Sequence, residues 1–183
     1  MKAIVAVDNN WGIGYDGELL FHIKDDMKKF KYLTTDKVVV MGRKTFESIP
    51  YDMRPLKDRI NIVMSQSKMH IDGVKVVHND NELKAELCRY YPDDVYLIGG
   101  ESLYNKYIDE CTEAIVTKVK QNKKADRFFP NLDERPEWIW VNKSEFCAIE
   151  KGEKYLYDYI KYVNVNLNSK GLRLNTNLNT TII

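Results

Sequence analysis

The sequence predicts an α/β fold, in which a largely parallel sheet is covered on both faces and closed at one edge by an antiparallel hairpin. Three observations carry this expectation. Apolar, β-rich runs alternate with helical stretches; several of those runs are nearly continuous in apolar character; and from Ala114 onward the pattern turns to strands alone. A strand buried on both faces loses the polar half of the usual alternation, so continuity is the mark of a parallel sheet.

The elements follow in order. Residues 3–8 (AIVAVD), 37–42 (KVVVMG), 59–65 (RINIVMS), 74–78 (VKVVH) and 95–100 (VYLIGG) read as strands. Between them lie an opening helix, a short helix after Gly42, a third in NDNELKAELCRYY with Asp80 as its cap, and a fourth in ESLYNKYIDEC after Gly100. Then come AIVTKVK, WIWVNKSEFCAIE and KYLYDYIKYV, the last with Tyr155, Tyr157 and Tyr159 on one side. The last two join through EKGEK as a hairpin.

The opening helix, FHIKDDMKKFKYL over residues 21–33, contains a chemical anomaly. Each residue turns about 100° from the last, so Ile23, Met27, Phe30 and Leu33 form one apolar stripe, with Asp26 inside it between Phe30 and Leu33. Asp25 falls on the outer face with Lys28, Lys29 and Tyr32. A carboxylate on a buried face needs a partner or a proton.

Composition bounds the rest. A chain of 183 residues, 44% hydrophobic and 30% charged, suits one domain with a real core. Twenty-eight basic against twenty-seven acidic residues give a net charge of +1, so no global field points to nucleic acid or an anionic membrane. Cys88, Cys111 and Cys147 are unclustered and are not spaced with His22, His70 or His78 as metal ligands, which suits a reducing cytoplasm and no metal. Met1-Lys2 runs straight into a strand, leaving no room for a signal peptide, and no apolar run reaches membrane-spanning length. A soluble, cytoplasmic protein is expected.

Three glycine-bearing segments invite a ligand. Gly12 to Gly17 spells G-x-G-x-x-G, but residues 8–11 separate it from the strand and residues 18–21 from the helix, so it fails the dinucleotide fingerprint. The expectation here is a mobile loop carrying exposed Trp11 and Tyr15 and covering a site. Gly42-Arg43-Lys44-Thr45 follows a buried strand and opens a helix, where free N–H groups and two cations favour an anion; it lacks the upstream glycine of a Walker A loop. Gly99-Gly100 likewise lets a backbone come close to a ligand. Both turns sit at the carboxyl ends of presumed parallel strands, where open α/β sheets bind ligands.

AIVAVDNNWGIG, the helix with Asp26 and Phe30-Lys31, VVVMGRKTFESI, RPLKDRINIVMS, VYLIGGESLY, and TKV followed by ADRFFP together resemble dihydrofolate reductase, in order and spacing, from Met1 to about Val163. The resemblance implies a single domain with a mostly parallel eight-stranded sheet, an antiparallel last strand and about four flanking helices. It implies hydride transfer from NADPH to 7,8-dihydrofolate, giving tetrahydrofolate, by a monomer with no nucleic-acid or membrane partner. Asp26 matches the family's active-site acid, which holds the pterin and promotes its protonation. Ile4, Val5, Ala6 and Ile98 match the pterin walls; Phe30 packs on the pterin and benzoyl rings, and Ser48, Ile49 and Leu56 on the benzoyl group. Thr117 matches the residue supporting the acid and the pterin amino group through a water, and Arg59 the arginine pairing with the glutamate tail. For NADPH, the resemblance assigns Ala6 and Ile13 to the carboxamide, and Gly42, Arg43, Lys44, Thr45, Gly99, Gly100, Glu101 and Ser102 to the pyrophosphate turns. Ser65 and Gln66, with Arg43 and Lys44, fall near the 2′-phosphate, and Tyr104 near the nicotinamide.

The chain departs from the family's pattern in three places. Leu20-Phe21 replaces the usual Pro-Trp, removing an indole N–H; Lys57-Asp58 replaces Pro-Gly; and Glu101 brings a negative charge to the pyrophosphate turn. A riboflavin-pathway reductase and a non-catalytic nucleotide-binding module are the competing readings, but Asp26 with Arg59 favours a substrate having a pterin edge and a carboxylate tail. Residues 164–183, rich in Asn, Leu and Thr, fall beyond the resemblance. They read either as a disordered or appended end or as a marginal hairpin, in which Val165, Leu167, Leu172 and Leu174 alternate with polar residues, and in either case as dispensable for chemistry.

Overall fold

A computed structural model describes residues 1–67 and 70–168. In chain order the elements are β1 (Lys2–Val7), β2 (Gly12–Tyr15), β3 (Glu18–Leu19), α1 (Lys24–Thr34), β4 (Val38–Gly42), α2 (Arg43–Ser48), β5 (Ile60–Met64) and β6 (Val74–Val77). There follow α3 (Asp80–Leu87), β7 (Val95–Gly99), α4 (Glu101–Tyr107), β8 (Glu113–Val119), β9 (Arg127–Phe128), β10 (Trp138–Glu150), β11 (Glu153–Asn164) and α5 (Val165–Asn168). Eight strands make one sheet in the order β10-β11-β8-β1-β7-β4-β5-β6. The run from β8 to β6 is parallel throughout, and β11, the last strand of the chain, lies antiparallel to β8 with β10 antiparallel outside it.

The continuous apolar runs do what continuity predicts. In β4, Val38 and Val40 join one core cluster, with Ala3, Leu97 and Val116, while Val39 and Met41 join another, with Ile4, Phe46 and Tyr96. Alternate side chains of one strand thus enter two cores on opposite faces of the sheet. At the far edge, Lys151 and Gly152 both take positive φ, 51° and 83°, between paired Glu150 and Glu153. That is the two-residue turn whose twist matches a hairpin, and it accounts for EKGEK.

Four expectations need correction. The cap of α3 is Asn79, whose side chain accepts from Glu82 N at 3.0 Å; Asp80 is the first helical residue and binds Lys106 and the Tyr107 hydroxyl. The glycine-rich segment is no mobile loop: β2 pairs with β3 and β9 in a small three-stranded sheet. Trp11 is buried, only 4% exposed, stacked on Phe129 at 6.0 Å between ring centroids, whereas Tyr15 is exposed as expected. Finally, β11 runs one residue past the expected boundary to buried Asn164, and Val165–Asn168 forms a helical turn, which neither a disordered end nor a hairpin arm describes. The rest of that expectation, with Leu172 and Leu174, lies outside the described residues.

Asp8 holds the glycine-rich segment in place. Fully buried, it accepts from Asn10 N and Gly12 N through Oδ1, both at 2.8 Å, and from Lys123 N through Oδ2 at 3.0 Å. Gly12 is required by a close approach, since a Cβ there would stand 2.7 Å from that of Ala125. Replacing Asp8 with Ala strands three backbone donors, so stability should fall by about 3 kcal/mol or more in denaturant titration. A loss under about 1 kcal/mol would mean that the turn holds its own shape.

No helix among the described residues is long and apolar enough to cross a membrane.

Candidate active site

Asp26 sits in the first turn of α1, which starts after Ile23, a buried residue in extended conformation. Its Oδ1 accepts from the Thr117 hydroxyl at 2.5 Å. Thr117 is itself buried in the middle of β8, paired in register with Ala6 of β1 on one side and Tyr159 of β11 on the other. Burial pushes the Asp26 carboxyl above its ordinary proton affinity, against the opposing pull of the Thr117 hydroxyl and the Lys29 ammonium. Asp25 is exposed and, among the described residues, pairs with Lys28 at 3.1 Å.

The helical wheel was right about these two acids and wrong about two of their neighbours. Met27 is 42% exposed, and Lys29, expected on the outer face, is half-buried with its ammonium 3.1 Å from the centre of the Tyr159 ring. A wheel gives angles around the helix axis but not which flanks are covered, and here β11 covers the flank that carries Lys29.

Beside Asp26 an apolar wall assembles. Ile4, Phe30, Ile49, Leu56 and Ile98 belong to one packed cluster with Val39, Met41, Phe46 and Val63. Val5 does not join it, for its side chain packs into the core on the other face, so only its backbone is available on this side. The buried Tyr104 hydroxyl donates to the Ile4 carbonyl at 2.7 Å, which fixes the middle of β1. Ser48 is exposed and bonds back to the Thr45 carbonyl at 2.8 Å.

Arg59 enters from the start of β5. Its Nε donates to the Lys57 carbonyl at 2.8 Å and Nη1 to Thr34 Oγ1 at 3.3 Å, and it makes no ion pair among the described residues. Sequence reading missed what supports it. Buried Asn61 clamps the preceding turn, donating to the carbonyls of Leu56 and Arg59 at 2.9 and 3.0 Å and accepting from Leu56 N at 3.1 Å. A lone amide within INIVM was the available signal, because a buried amide must find partners.

The two glycine turns adjoin. Met41 of β4 pairs with Gly99 of β7, and Gly42 with Met64 of β5, so residues 42–45, 65–66 and 99–102 share the carboxyl ends of three neighbouring strands. Gly99 has φ +126°, and a Cβ on Gly100 would stand 3.0 Å from Thr45 Oγ1. These positions form a cradle that side chains would fill. Arg43 and Lys44 are exposed beside it, Arg43 paired with Glu47 at 3.1 Å, and Ser102 and Gln66 are exposed as well. Ser65 is buried, its hydroxyl engaged within its own turn with Ser67. Glu101 is drawn aside, accepting from Phe128 N at 3.0 Å and thereby tying α4 to β9. Ile13 is buried in the small sheet, its carbonyl accepting from Leu20 N at 3.4 Å.

This arrangement meets its decisive comparison in sequence. The family profile described as dihydrofolate reductase matches residues 1–164. The chain belongs to the dihydrofolate reductase family. It is 39% identical over 147 residues to the dihydrofolate reductase of Schistosoma mansoni, covering 73% of this chain and 79% of that one. It is 33% identical over 169 residues to that of Bacillus subtilis, covering 92% and 96%. Among solved structures, dihydrofolate reductase from Enterococcus faecalis, complexed with NADP(H) and RAB-propyl, superposes with a TM-score of 0.77 at 30% identity, covering 88% of this chain and 94% of that one.

Against the family's pattern, the Leu20-Phe21 departure now has a place. Phe21 is buried edge-on to Tyr155, with ring centroids 6.1 Å apart, and the Lys123 ammonium lies over its ring at 4.9 Å from the centre. The position keeps an aromatic packing role and loses an N–H donor.

Proposed function

We propose that the protein reduces 7,8-dihydrofolate to 5,6,7,8-tetrahydrofolate with NADPH, Asp26 promoting protonation of the pterin. The observation that carries this is the Asp26–Thr117 pair: a carboxylate raised in proton affinity by burial, steadied by a hydroxyl, beside an apolar wall. Such a carboxylate can meet the amino group and ring nitrogen of a pterin edge and favour the protonated form of that edge. Ile4, Phe30 and Ile98 flank the ring, with Ala6 and Val5 contributing backbone; Ser48, Ile49 and Leu56 take the benzoyl group; and Arg59 offers a planar fork to a carboxylate.

NADPH supplies the hydride when bound. The cradle of Gly42, Gly99 and Gly100 fits the close backbone approach a pyrophosphate needs, with Thr45 and Ser102 as donors and Arg43 and Lys44 as cations. Ser65 and Gln66 lie at the neighbouring strand end, suited to the 2′-phosphate side. Ile13 and Ala6 offer backbone to the carboxamide, and Tyr104 acts by fixing the Ile4 carbonyl. We place Glu101 near this cradle as a helix-anchoring residue and not as a phosphate contact. A cytoplasmic setting suits the free cysteines, two of which, Cys88 and Cys147, are exposed.

The catalytic unit in this reading ends with the last strand and its following turn. Deleting residues 169–183 should leave turnover and thermal midpoint nearly unchanged. Cutting after Val163 also removes Asn164 N to Thr112 O and Val165 N to Glu137 O and should lower the midpoint.

Following NADPH oxidation at its near-ultraviolet absorbance tests the assignment. Oxidation should depend on added dihydrofolate and not on the ribosylaminopyrimidine of the riboflavin pathway. The reverse preference, or binding without turnover, would overturn it.

A further inference from the structure

Lys29 is a cation in an unusual place. It follows Asp26 by three residues, so the two side chains leave neighbouring turns of one helix face. Its ammonium forms no ion pair among the described residues and instead rests 3.1 Å from the centre of the Tyr159 ring. Tyr159 stands in register opposite Thr117, which donates to Asp26. Lys29, Tyr159, Thr117 and Asp26 therefore lie together where α1, β11 and β8 meet, linked by the Lys29–Tyr159 and Thr117–Asp26 contacts and by the register of Tyr159 opposite Thr117. The recess around Lys29, about 310 Å³, is lined by Leu33, Ile115, Phe146 and Ile160 and by the polar Asn142, Ser144 and Lys161, and leaves Lys29 half-buried.

From this geometry we propose that Lys29 is a positioning residue of the active site, fixing the charge environment in which Asp26 gains and loses its proton. The proposal rests on the reading of Asp26 as the reacting acid. A ring held over an ammonium attracts it and biases it toward this placement. Burial lowers the proton affinity of Lys29 and the Asp26 carboxylate raises it, the reciprocal of the ammonium's pull on Asp26.

The other titratable groups on this side do not replace it. On α1, Asp25 is exposed and bound to Lys28. From β11, burial pushes the proton affinities of Tyr157 and Tyr159 up, so both stay neutral, and Lys161 is paired with Glu113 at 2.8 Å. From β10, Cys147 acts on Tyr157 and is exposed. Among the described residues, Lys29 is the charge that opposes protonation of Asp26.

The test replaces Lys29 with Met, which keeps length and apolar packing, and with Arg, which keeps the charge. Carbon-13 NMR of carboxyl-labelled aspartate follows the Asp26 resonance, identified by its loss in Asp26→Asn, through a pH titration without turnover. Removing the cation should raise the Asp26 midpoint by about 0.5–1 unit, less than the 1–3 units of a close, desolvated pair, while Lys29→Arg stays near wild type. The pH dependence of hydride transfer with enzyme preloaded with NADPH should move the same way, because the acid and the pterin titrate as a pair and both feel the cation. A Lys29→Met titration that overlays wild type, or a Lys29→Arg shift as large as that of Lys29→Met, overturns the proposal. The NMR titration stands apart from the catalytic reading: an Asp26 that responds to Lys29 in an enzyme indifferent to Asp26→Asn would sink the role of Asp26 and leave the coupling intact.

Discussion

Asp26→Asn should lower turnover near neutral pH by about 10²–10⁴-fold, the usual contribution of a positioned proton donor, while leaving NADPH affinity almost unchanged. Asparagine keeps the shape and can still meet the Thr117 hydroxyl, which stands 2.5 Å from Oδ1 in the native site. What it loses is the charge that stabilises a proton on the pterin. The ring nitrogen must then draw its proton from solvent, so the mutant rate should climb as pH falls. Asp25→Asn is the internal control, because that carboxylate is exposed and paired with Lys28. Its effect should stay below about twofold, as for most surface changes. Equal losses in the two variants would mean that the helix as a whole, and not Asp26, is being disturbed.

Arg59→Leu should weaken dihydrofolate binding by about 2–5 kcal/mol, roughly 30-fold to several-thousand-fold, and barely touch a substrate lacking the glutamate. The guanidinium is held by the Lys57 carbonyl through Nε and by Thr34 through Nη1, so much of its orientation is set before any ligand arrives. Preorganisation of this kind spares the ordering cost that a free surface arginine would incur on binding. The same bonds make a structural role the alternative to exclude. Equal weakening of both substrates would reveal one, with Arg59 serving to pin the turn that Asn61 already clamps.

The parts of this molecule legible in its sequence are those decided by nearest neighbours and by period. Val38 to Met41 announces a two-faced strand without reference to anything else in the chain. Lys151-Gly152 announces its turn because the required positive φ is a local property. Asp26 could be separated from Asp25 by angle alone. Trp11 and Lys29 were misplaced because their environments come from elsewhere in the chain: Phe129 covers the first and Tyr159 the second, each more than a hundred residues away. Asp8 and Asn61 escaped notice for a related reason. Each spends its side chain on backbone groups of a bend, and a bend has no period to read. The glycine turns were legible singly, but their adjacency depends on β4 lying beside β7, which is topology and not pattern.

The most direct test of the central claim follows one atom. With NADPH deuterated at the transferred position and dihydrofolate as acceptor, a single turnover should place one deuterium on the tetrahydrofolate ring, slowly in Asp26→Asn and rapidly in wild type. NADPH consumed with no deuterium in the pterin, or label transferred equally fast by both proteins, would contradict the account.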